Sequence, residues 1–238
     1  MAVSVIIGNG DFPRTEYPRY LVSSADHIVC CDGAFRTWLR CCKGIFGEER
    51  MPDAVVGDMD SISPGLRKRY ASLMVHITEQ DFNDMTKALL YTLRTFPDTG
   101  CIHFIGFSGK REDHTLGNLS LLMEYARALS ASRPASDPLS GMMDKALSPY
   151  RGKAPDIDMV SDHSTVFAIS DSCELAVGEG RRVSIISSDN SLKIKSAGLV
   201  WPTDEVVFDN LWKATLNRAE SDMIRLEFNH PSAALIVI

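Results

Sequence analysis

The sequence of 238 residues has no excess of positive charge, no zinc-type cysteine spacing and no long apolar run. Its 25 basic and 31 acidic residues give a net charge of −6, which argues against a broad nucleic-acid-binding surface. A small anionic substrate stays compatible with this charge if metal ions or local arginines offset the carboxylates. Because no apolar run approaches the length of a membrane-spanning helix, we expect no membrane association.

The six cysteines show no Cys-x-x-Cys spacing, and four of them form the adjacent pairs Cys30-Cys31 and Cys41-Cys42. Adjacent pairs suit neither a zinc site nor the disulfide framework of a secreted protein. The N-terminal residues also lack the basic region of a signal peptide and become polar too soon for one. We therefore expect a reduced protein of the cytoplasm.

Hydrophobic residues make up 45% of the chain and charged residues 24%, which is typical of soluble globular domains. Five strand-like runs, each followed by a glycine turn or a helical pattern, predict a mostly parallel, doubly wound α/β sheet within residues 1–162. Short strand-like runs between turns predict an all-β sandwich or barrel over 163–238. Residues 131–155, rich in proline and serine, are predicted to be a loop insertion.

The stretch Val55–Asp60 ends a predicted buried strand in a glycine and two carboxylates. If strand geometry continues, Asp58 and Asp60 point the same way, because side chains alternate with period two. Two converging carboxylates repel each other unless a cation or a proton lies between them, and oxygen-only ligands suit Mg²⁺. The alternative is that one of these aspartates caps a helix that begins near Ser61.

Further polar residues follow other predicted strands or begin helices. Asp32 ends the second strand, and Asp84 lies in a helix's first turn, where an acidic residue is also favourable for dipole reasons alone. The loop after the fifth strand lacks the G-x-x-x-x-G-K-S/T spacing of a P-loop and presents Arg111 and Asp113 at a helix N-terminus, a good anion site. Because parallel strands bring such residues to one edge, we expect a site formed by Asp32, Asp58, Asp60, Asp84, Arg111 and Asp113.

Five motifs, taken in order, resemble the thiamine pyrophosphokinase family over nearly the whole chain except about residues 131–155. They are Asp32-Gly33, Gly57–Ser61, Gln80–Leu89, Gly109–His114 and Gly198–Pro202. The resemblance implies an α/β N-terminal domain that binds nucleotide and Mg²⁺ and a β-sandwich C-terminal domain that binds thiamine. It also implies transfer of pyrophosphate from ATP to the thiamine hydroxyl, with release of AMP, by a homodimer whose active site lies between subunits.

The resemblance assigns roles to individual residues. The implied metal ligands are Asp32, Asp58, Asp60 and Asp84. The implied catalytic residues are Asp58, Asp60, Asp84, Arg111 and Asp113, and either Asp84 or Asp113 accepts the proton of the hydroxyl. The implied contacts to ATP or thiamine are Asp32, Gln80, Lys87, Arg111, His114, Asn118, Trp201 and Asn217. Trp201 would stack on the thiamine rings, although a tryptophan beside a proline is more often a core residue.

The sequence departs from the family pattern at several positions. Lys110 stands where a second glycine is usual, Asn83 replaces a threonine, and Glu112 replaces an aromatic or apolar residue. The segment Ala214–Asn217 stands in place of a serine-rich loop. Two other functions stay open on the sequence alone. One is a different Mg²⁺-dependent phosphotransferase or nucleotide hydrolase that uses the same carboxylates, and the other is a thiamine-binding protein without turnover.

Overall fold

The computed structural model describes residues 1–131 and 141–238, and the chain divides into two compact units. The first unit consists of Met1–Asn118 and Pro155–His163. The second consists of Leu119–Ala154 and Ser164–Ile238. Residues 132–140, which belong to the predicted loop insertion, lie outside the described part of the chain. No helix among the described residues is both long enough and apolar enough to cross a membrane.

The first unit contains a sheet in which every pair of neighbouring strands is parallel. Its strands are β1 (Ala2–Ile7), β2 (His27–Cys31), β3 (Ala54–Gly57), β4 (Met74–His76), β5 (Thr99–Ile105) and β6 (Asp156–Val160). Their order across the sheet is β6-β5-β1-β2-β3-β4. The chain builds outward from β1 to β4 and then adds β5 and β6 on the other side of β1. The sheet is therefore doubly wound, as the sequence predicts.

The described helices include both long and very short ones. In chain order they are α1 (Glu16–Ser24), α2 (Asp32–Cys41), α3 (Lys43–Phe46), α4 (Pro64–Arg69), α5 (Asp84–Thr95), α6 (Glu112–Leu129) and α7 (Met142–Leu147), with 3₁₀ turns at Ala71–Leu73 and Ser148–Tyr150. Residues of α6 up to Asn118 belong to the first unit, and the remainder belong to the second.

Apolar, largely β-branched runs explain why the inner strands of the first unit form. Val5, Ile6 and Ile7 of β1 and Val55 and Val56 of β3 are fully buried or nearly so. Strands that are covered on both faces are continuous hydrophobic runs of this kind. Each run ends where polar or glycine residues begin. The ends of the strands are therefore the first positions at which polar side chains can bind a ligand or take part in a reaction.

The second unit contains two antiparallel sheets that share one hydrophobic core. Its strands are β7 (Thr165–Ile169), β8 (Cys173–Ala176), β9 (Arg182–Ile186), β10 (Ile194–Ala197), β11 (Ala214–Arg218), β12 (Met223–Phe228) and β13 (Ala234–Val237). One sheet has the order β11-β9-β13-β7 and the other β10-β12-β8. Ile185 and Ile236 of the first sheet and Ile194 and Leu226 of the second belong to the same buried cluster. This arrangement is the predicted β-sandwich.

Part of the segment predicted as a loop insertion, residues 131–155, is helical. In α7, Met143 is 6% exposed and Leu147 is fully buried. These two residues are four positions apart, so they lie on the same face of the helix. Arg151 next to this helix donates to the carbonyl oxygen of Ala128 at 3.2 Å and pairs with Asp144 at 2.5 Å. The prediction of a loop was wrong for 142–150, because it weighed proline and serine content and missed the apolar pair.

An ion pair joins β5 and β6 within the first unit. His103 Nδ1 lies 2.7 Å from Asp158 Oδ1, and the side chains of the two residues are only 10% and 19% exposed. Burial is the largest single effect and lowers the pKa of His103, but the hydrogen bonds and charge interactions with Asp158 and Cys101 together outweigh it and raise that pKa to about 10. His103 is therefore protonated in the folded protein at neutral pH.

Replacing Asp158 by asparagine should destabilise the protein in a pH-dependent way. The pKa of His103 rises from 6.5 in the unfolded chain to about 10 in the folded one, so its stabilising contribution is full below pH 6.5 and is lost as the pH rises towards 10. We expect the Asp158→Asn variant to lose about 1.5–3 kcal/mol near pH 6, and less at higher pH. Urea unfolding at several pH values measures this difference. Asp156→Asn, an exposed position on the same strand, is the control, and an equal loss in both variants at every pH would disprove the ion-pair explanation.

Candidate active site

The loops after β1 and β5 meet at the point where the strand order reverses. Gly8 N–H donates to the carbonyl oxygen of Ile105 at 2.8 Å, and Gly10 N–H donates to that of Gly106 at 2.5 Å. A Cβ atom on Gly10 would lie only 2.3 Å from the carbonyl oxygen of Ser108, so no other residue fits there without displacing the second loop. Open α/β sheets bind ligands at such a reversal, outside the carboxyl ends of the strands.

A pocket of about 370 Å³ lies between these loops and the start of α5, and we call it the glycine-loop pocket. Backbone from both glycine loops and side chains from the starts of α5 and α6 line it, which gives it both apolar surface and hydrogen-bonding groups. Its size is that of a small-molecule site. The lining includes Gly8, Asn9, Gly10, Ser61, Asp84, Gly106, Lys110, Arg111, His114 and Asn118.

Three carboxylates converge beside this pocket, and we call Asp32, Asp58 and Asp60 the acidic group. One carboxylate oxygen of each lies within 4.8 Å of the others. The convergence does not come from a continued strand, because β3 ends at Gly57 and Met59 has a left-handed φ of 68°. Instead, Asp58 Oδ1 accepts the backbone N–H of Asp60 at 3.1 Å. The predicted convergence is present, but a tight turn produces it.

Asp32 is the most constrained member of the acidic group. Its side chain is buried, its Oδ1 accepts the N–H of Gly33, and its Oδ2 has no hydrogen-bond partner among the described residues. Burial first, and then repulsion by Asp84, raise the pKa of Asp32 to about 6. A buried oxygen without a partner, in a group of three carboxylates, is what a divalent cation would satisfy. The residues present therefore fit a hard cation such as Mg²⁺.

Asp84 lies close to this group without belonging to it. It is the first residue of α5, and Asn83 before it is the N-cap, with Oδ1 accepting the N–H of Thr86 at 3.0 Å. Burial raises the pKa of Asp84, while the nearby ammonium group of Lys87 lowers it in part. Lys87 itself is only 3% exposed, so it is not simply a solvated lysine. Asparagine in place of threonine at position 83 keeps the cap, since both are good N-cap residues.

The other predicted residues of the first unit surround the same edge. Gln80 Nε2 donates to Asp58 Oδ2 at 3.4 Å. Arg111 binds Asp113 through two hydrogen bonds, of 3.0 and 2.5 Å, and this contact lowers the pKa of Asp113. Both side chains are more than 60% exposed. Asn118 lines the glycine-loop pocket but donates to the carbonyl oxygen of Phe107 at 2.8 Å, so it also holds the second glycine loop.

In the second unit, Trp201 is an exposed residue and not a core residue. Its exposed fraction is 58%, and it lines a pocket of about 280 Å³ with Thr203, Leu216 and Asn217. Asn217 is buried and fixes the backbone of Trp201. Its Nδ2 donates to the Trp201 carbonyl oxygen at 2.7 Å, and its Oδ1 accepts the Trp201 N–H at 3.2 Å. The indole is thus presented to this pocket by a rigid support.

Two residues that sequence reasoning did not single out for the site are Asn9 and Lys110. Lys110 has a left-handed φ of 59°, and its ammonium group donates to Asn9 at the carbonyl oxygen (2.7 Å) and at Oδ1 (3.2 Å). Both residues line the glycine-loop pocket. The sequence contained one signal for Lys110, because the family pattern has a glycine at position 110. A lysine with a left-handed φ is unfavourable unless a contact such as the one to Asn9 compensates for it.

The fold and site define a two-domain protein in which an α/β unit carries a carboxylate cluster and a pocket at the reversal of its parallel sheet, and a β-sandwich unit carries an exposed aromatic pocket. Comparison with known families makes this specific. The family model of the thiamin pyrophosphokinase catalytic domain matches residues 18–131, and that of the thiamin pyrophosphokinase substrate-binding domain matches residues 165–235. The chain belongs to the thiamin pyrophosphokinase family, as its motifs indicate.

Individual relatives agree with this assignment. Thiamine pyrophosphokinase 1 of Oryza sativa subsp. japonica is 32% identical over 141 residues, which cover 52% of this chain and 53% of the relative. Thiamine pyrophosphokinase of Bacillus subtilis is 38% identical over 76 residues, or 30% of this chain and 35% of the relative. The alignments therefore span about half of the rice relative and about a third of the bacterial one.

Solved structures share the fold over nearly the whole chain. The crystal structure of thiamine pyrophosphokinase from Bacillus subtilis aligns with a TM-score of 0.68 at 17% identity and covers 99% of this chain and 97% of that one. The structure of yeast thiamin pyrophosphokinase gives a TM-score of 0.68 at 16% identity and covers 100% and 86%. At these identities the likeness concerns the fold alone.

Proposed function

We propose that the protein is a thiamine pyrophosphokinase, which transfers pyrophosphate from ATP to the hydroxyl of thiamine and releases AMP. The observation that carries the proposal is the acidic group, with the unsatisfied Oδ2 of Asp32, beside the glycine-loop pocket. A nucleotide triphosphate brings several negative charges to this edge, so the carboxylates require cations between themselves and the phosphates. Family membership supplies the substrate class.

Mg²⁺ is the cation we propose, held by Asp32, Asp58 and Asp60 with Asp84 as a further ligand. When bound, Mg²⁺ neutralises phosphate charge and orients the phosphates for an in-line displacement. Gln80 supports this arrangement through its hydrogen bond to Asp58. The hydrogen bond from the Asp60 N–H is the main cause that lowers the pKa of Asp58, and the buried ammonium group of Lys87 adds to it. The same ammonium group partly offsets the rise that burial causes in the pKa of Asp84.

The reaction forms a bond from the thiamine oxygen to the β-phosphorus and breaks the bond from that phosphorus to the oxygen that stays on AMP. Arg111 is suited to bind phosphate oxygens, because its guanidinium is exposed and carries paired N–H donors, two of which now contact Asp113. The hydroxyl proton goes to a carboxylate of this edge, for which Asp84 and Asp113 are the candidates. His114 and Asn118 complete the wall of the nucleotide site.

AMP release from ATP, measured by chromatography with and without thiamine, tests this function. We expect AMP and thiamine diphosphate to appear together, only when thiamine and Mg²⁺ are both present. Release of phosphate or AMP without thiamine would instead indicate a nucleotide hydrolase or another phosphotransferase. Thiamine binding with no product under any condition would indicate a non-catalytic binding protein.

Trp201→Ala should weaken thiamine use selectively. If the exposed indole stacks on the cationic thiazolium, its removal loses contacts worth about 1–2 kcal/mol, so the KM for thiamine should rise roughly tenfold. The KM for ATP and the melting temperature should stay nearly unchanged, because the side chain is 58% exposed. Steady-state kinetics with each substrate varied in turn, together with a thermal melt, measure all three quantities.

Trp212→Ala is the matched control, since this second tryptophan is 63% exposed and does not line the Trp201 pocket. It should leave the KM for thiamine unchanged. An unchanged KM in the Trp201 variant, or equal rises in both variants, would contradict the pocket assignment. Asn217 should affect thiamine binding indirectly, because it holds both the N–H and the carbonyl oxygen of Trp201.

We further propose a cytoplasmic homodimer with domains at 1–162 and 163–238 and an active site formed between subunits. Support for self-association is the group of exposed apolar residues in the second unit, among them Leu211, Leu216 and Met223. Support for a reducing location is that all six cysteines are free thiols. Light scattering on the purified protein measures the oligomeric state, and a monomer at micromolar concentration would contradict the dimer.

A further inference from the structure

A second pocket of the first unit, of about 490 Å³, concentrates positive charge, and we call it the arginine pocket. It lies between the loop after β1, the helix α1 and the second half of α2. Among the residues that the structure describes, four cationic side chains line it, and Asp11 is the one carboxylate residue in the lining. The four cations are Arg14, Arg19, Arg40 and Lys110.

None of these four cations forms an ion pair with a carboxylate in the part of the chain that the structure describes. Arg19 donates to the carbonyl oxygen of Gly44, and Arg40 donates to the hydroxyl of Thr37 at 3.4 Å. Among the described residues, Lys110 donates only to Asn9. The guanidinium of Arg14 has no hydrogen-bond partner among the described residues. Asp11 therefore offsets at most one of the four positive charges, and the lining keeps an excess of positive charge.

An excess of positive charge in one cavity is unusual for a chain with a net charge of −6. Like charges around a cavity repel each other unless an anion lies between them. Guanidinium groups match phosphate oxygens with paired N–H donors and lose less hydration than ammonium groups, so arginine is suited to phosphoryl groups. The volume of the pocket corresponds to a small organic phosphate.

We propose that the arginine pocket binds a phosphoryl group of a small molecule. The site is not part of the acidic group, whose carboxylates would repel an anion in the absence of a metal. Two sources share this chemistry: a separate phosphorylated metabolite, and the phosphates of the nucleotide substrate itself. Titrations with pyrophosphate and with ATP distinguish the two sources.

Lys110 gives the arginine pocket a physical link to the glycine-loop pocket. Gly10 and Lys110 line both pockets, and the ammonium group of Lys110 holds Asn9, which lines only the glycine-loop pocket. A phosphoryl group in the arginine pocket competes with Asn9 for this ammonium group. Occupancy of one pocket therefore changes the wall of the other, and by linkage each ligand alters the affinity of the other to the same extent.

Calorimetric titration of the metal-free protein with inorganic pyrophosphate tests the proposal. We expect saturable binding to the wild type that weakens at least about tenfold in the double variant Arg14→Ala/Arg40→Ala. Both side chains are exposed, so the variant should fold normally, which a thermal melt checks. Lys68→Ala/Arg94→Ala is the control, because it removes two exposed positive charges of the same unit that line neither pocket.

Absence of saturable binding to the wild type, or an equal loss in the two double variants, would overturn the proposal. A parallel titration with ATP identifies the source of the phosphoryl group. If ATP affinity falls together with pyrophosphate affinity in the arginine variant, the phosphates of the nucleotide reach this pocket. If ATP affinity is unchanged while pyrophosphate binding is lost, the pocket serves a separate phosphorylated molecule.

Discussion

Asp58→Asn and Asp60→Asn should each lower kcat by at least about 1,000-fold while leaving the fold intact. The amide has almost the shape of the carboxylate, so the turn from Asp58 Oδ1 to the N–H of Asp60 can be kept. The substitution removes negative charge from a group whose oxygens lie within 4.8 Å of one another. Because the proposed Mg²⁺ is shared with the phosphates, its misplacement removes transition-state stabilisation of several kcal/mol.

Asp98→Asn serves as the control for these variants, since Asp98 is exposed and directly precedes β5, at the end of the strand opposite to the site. It should keep wild-type kcat. Near-normal activity of both site variants at saturating Mg²⁺ would refute the carboxylate–metal interpretation. If the melting temperature falls so far that loss of folded protein explains the loss of activity, these aspartates are structural instead.

Gly57→Ala should lower kcat strongly through a single added methyl group. A Cβ atom at position 57 would lie 2.6 Å from Asp32 Cγ and 2.9 Å from its Oδ2, closer than real contacts allow. The buried carboxyl group of Asp32 must then leave its present position in the acidic group. Misplacement of a catalytic group by about 1 Å costs on the order of 100-fold in rate, so we expect a loss of kcat of about this size.

Gly65→Ala is the matched control for that substitution, since a Cβ atom there meets nothing within 4 Å. It should keep full activity and gain slightly in helix stability. Mg²⁺ titration by calorimetry separates the causes, because displacement of Asp32 should weaken metal binding in the Gly57 variant alone. Wild-type metal affinity and activity in Gly57→Ala would contradict the proposed role of Asp32.

The strands and the acidic edge were predictable because each rests on a local rule. Runs such as Val55-Val56 must be buried, and the residues directly after a buried parallel strand must reach the carboxyl edge. Asp32 and Asp58 come directly after β2 and β3, which pair side by side, so their proximity comes from sheet order alone. The identity of the substrates came from the family motifs, because hydrophobic periodicity carries no information about a substrate.

Other features depend on packing that a local pattern does not show. The helix α1 was not predicted, since its nine residues show little apolar periodicity, yet Leu21 and Val22 of that helix are buried. The strand β11 was missed because the sequence Ala-Thr-Leu-Asn-Arg lacks clear alternation and its pairing with β9 contains an irregularity. The exposure of Trp201 likewise depends on how Asn217 holds its backbone.

The geometry of the acidic group shows the same limit at the site itself. Alternation along a strand predicted that Asp58 and Asp60 would converge, and they do converge. The actual cause is the left-handed backbone of Met59, a conformation that its residue type gives no reason to expect. The role of Lys110 is similar, because its contact to Asn9 joins residues that are far apart in the sequence.

Phosphorus NMR of one reaction mixture that contains the protein, ATP, thiamine and Mg²⁺ tests the central claim most directly, because it identifies which bond of ATP is broken. Transfer of pyrophosphate predicts that AMP and thiamine diphosphate form in equal amounts, without ADP or free phosphate, and that omission of thiamine or chelation of Mg²⁺ stops the change. Formation of ADP with a thiamine monophosphate, or of free phosphate without any thiamine product, would contradict the proposed reaction.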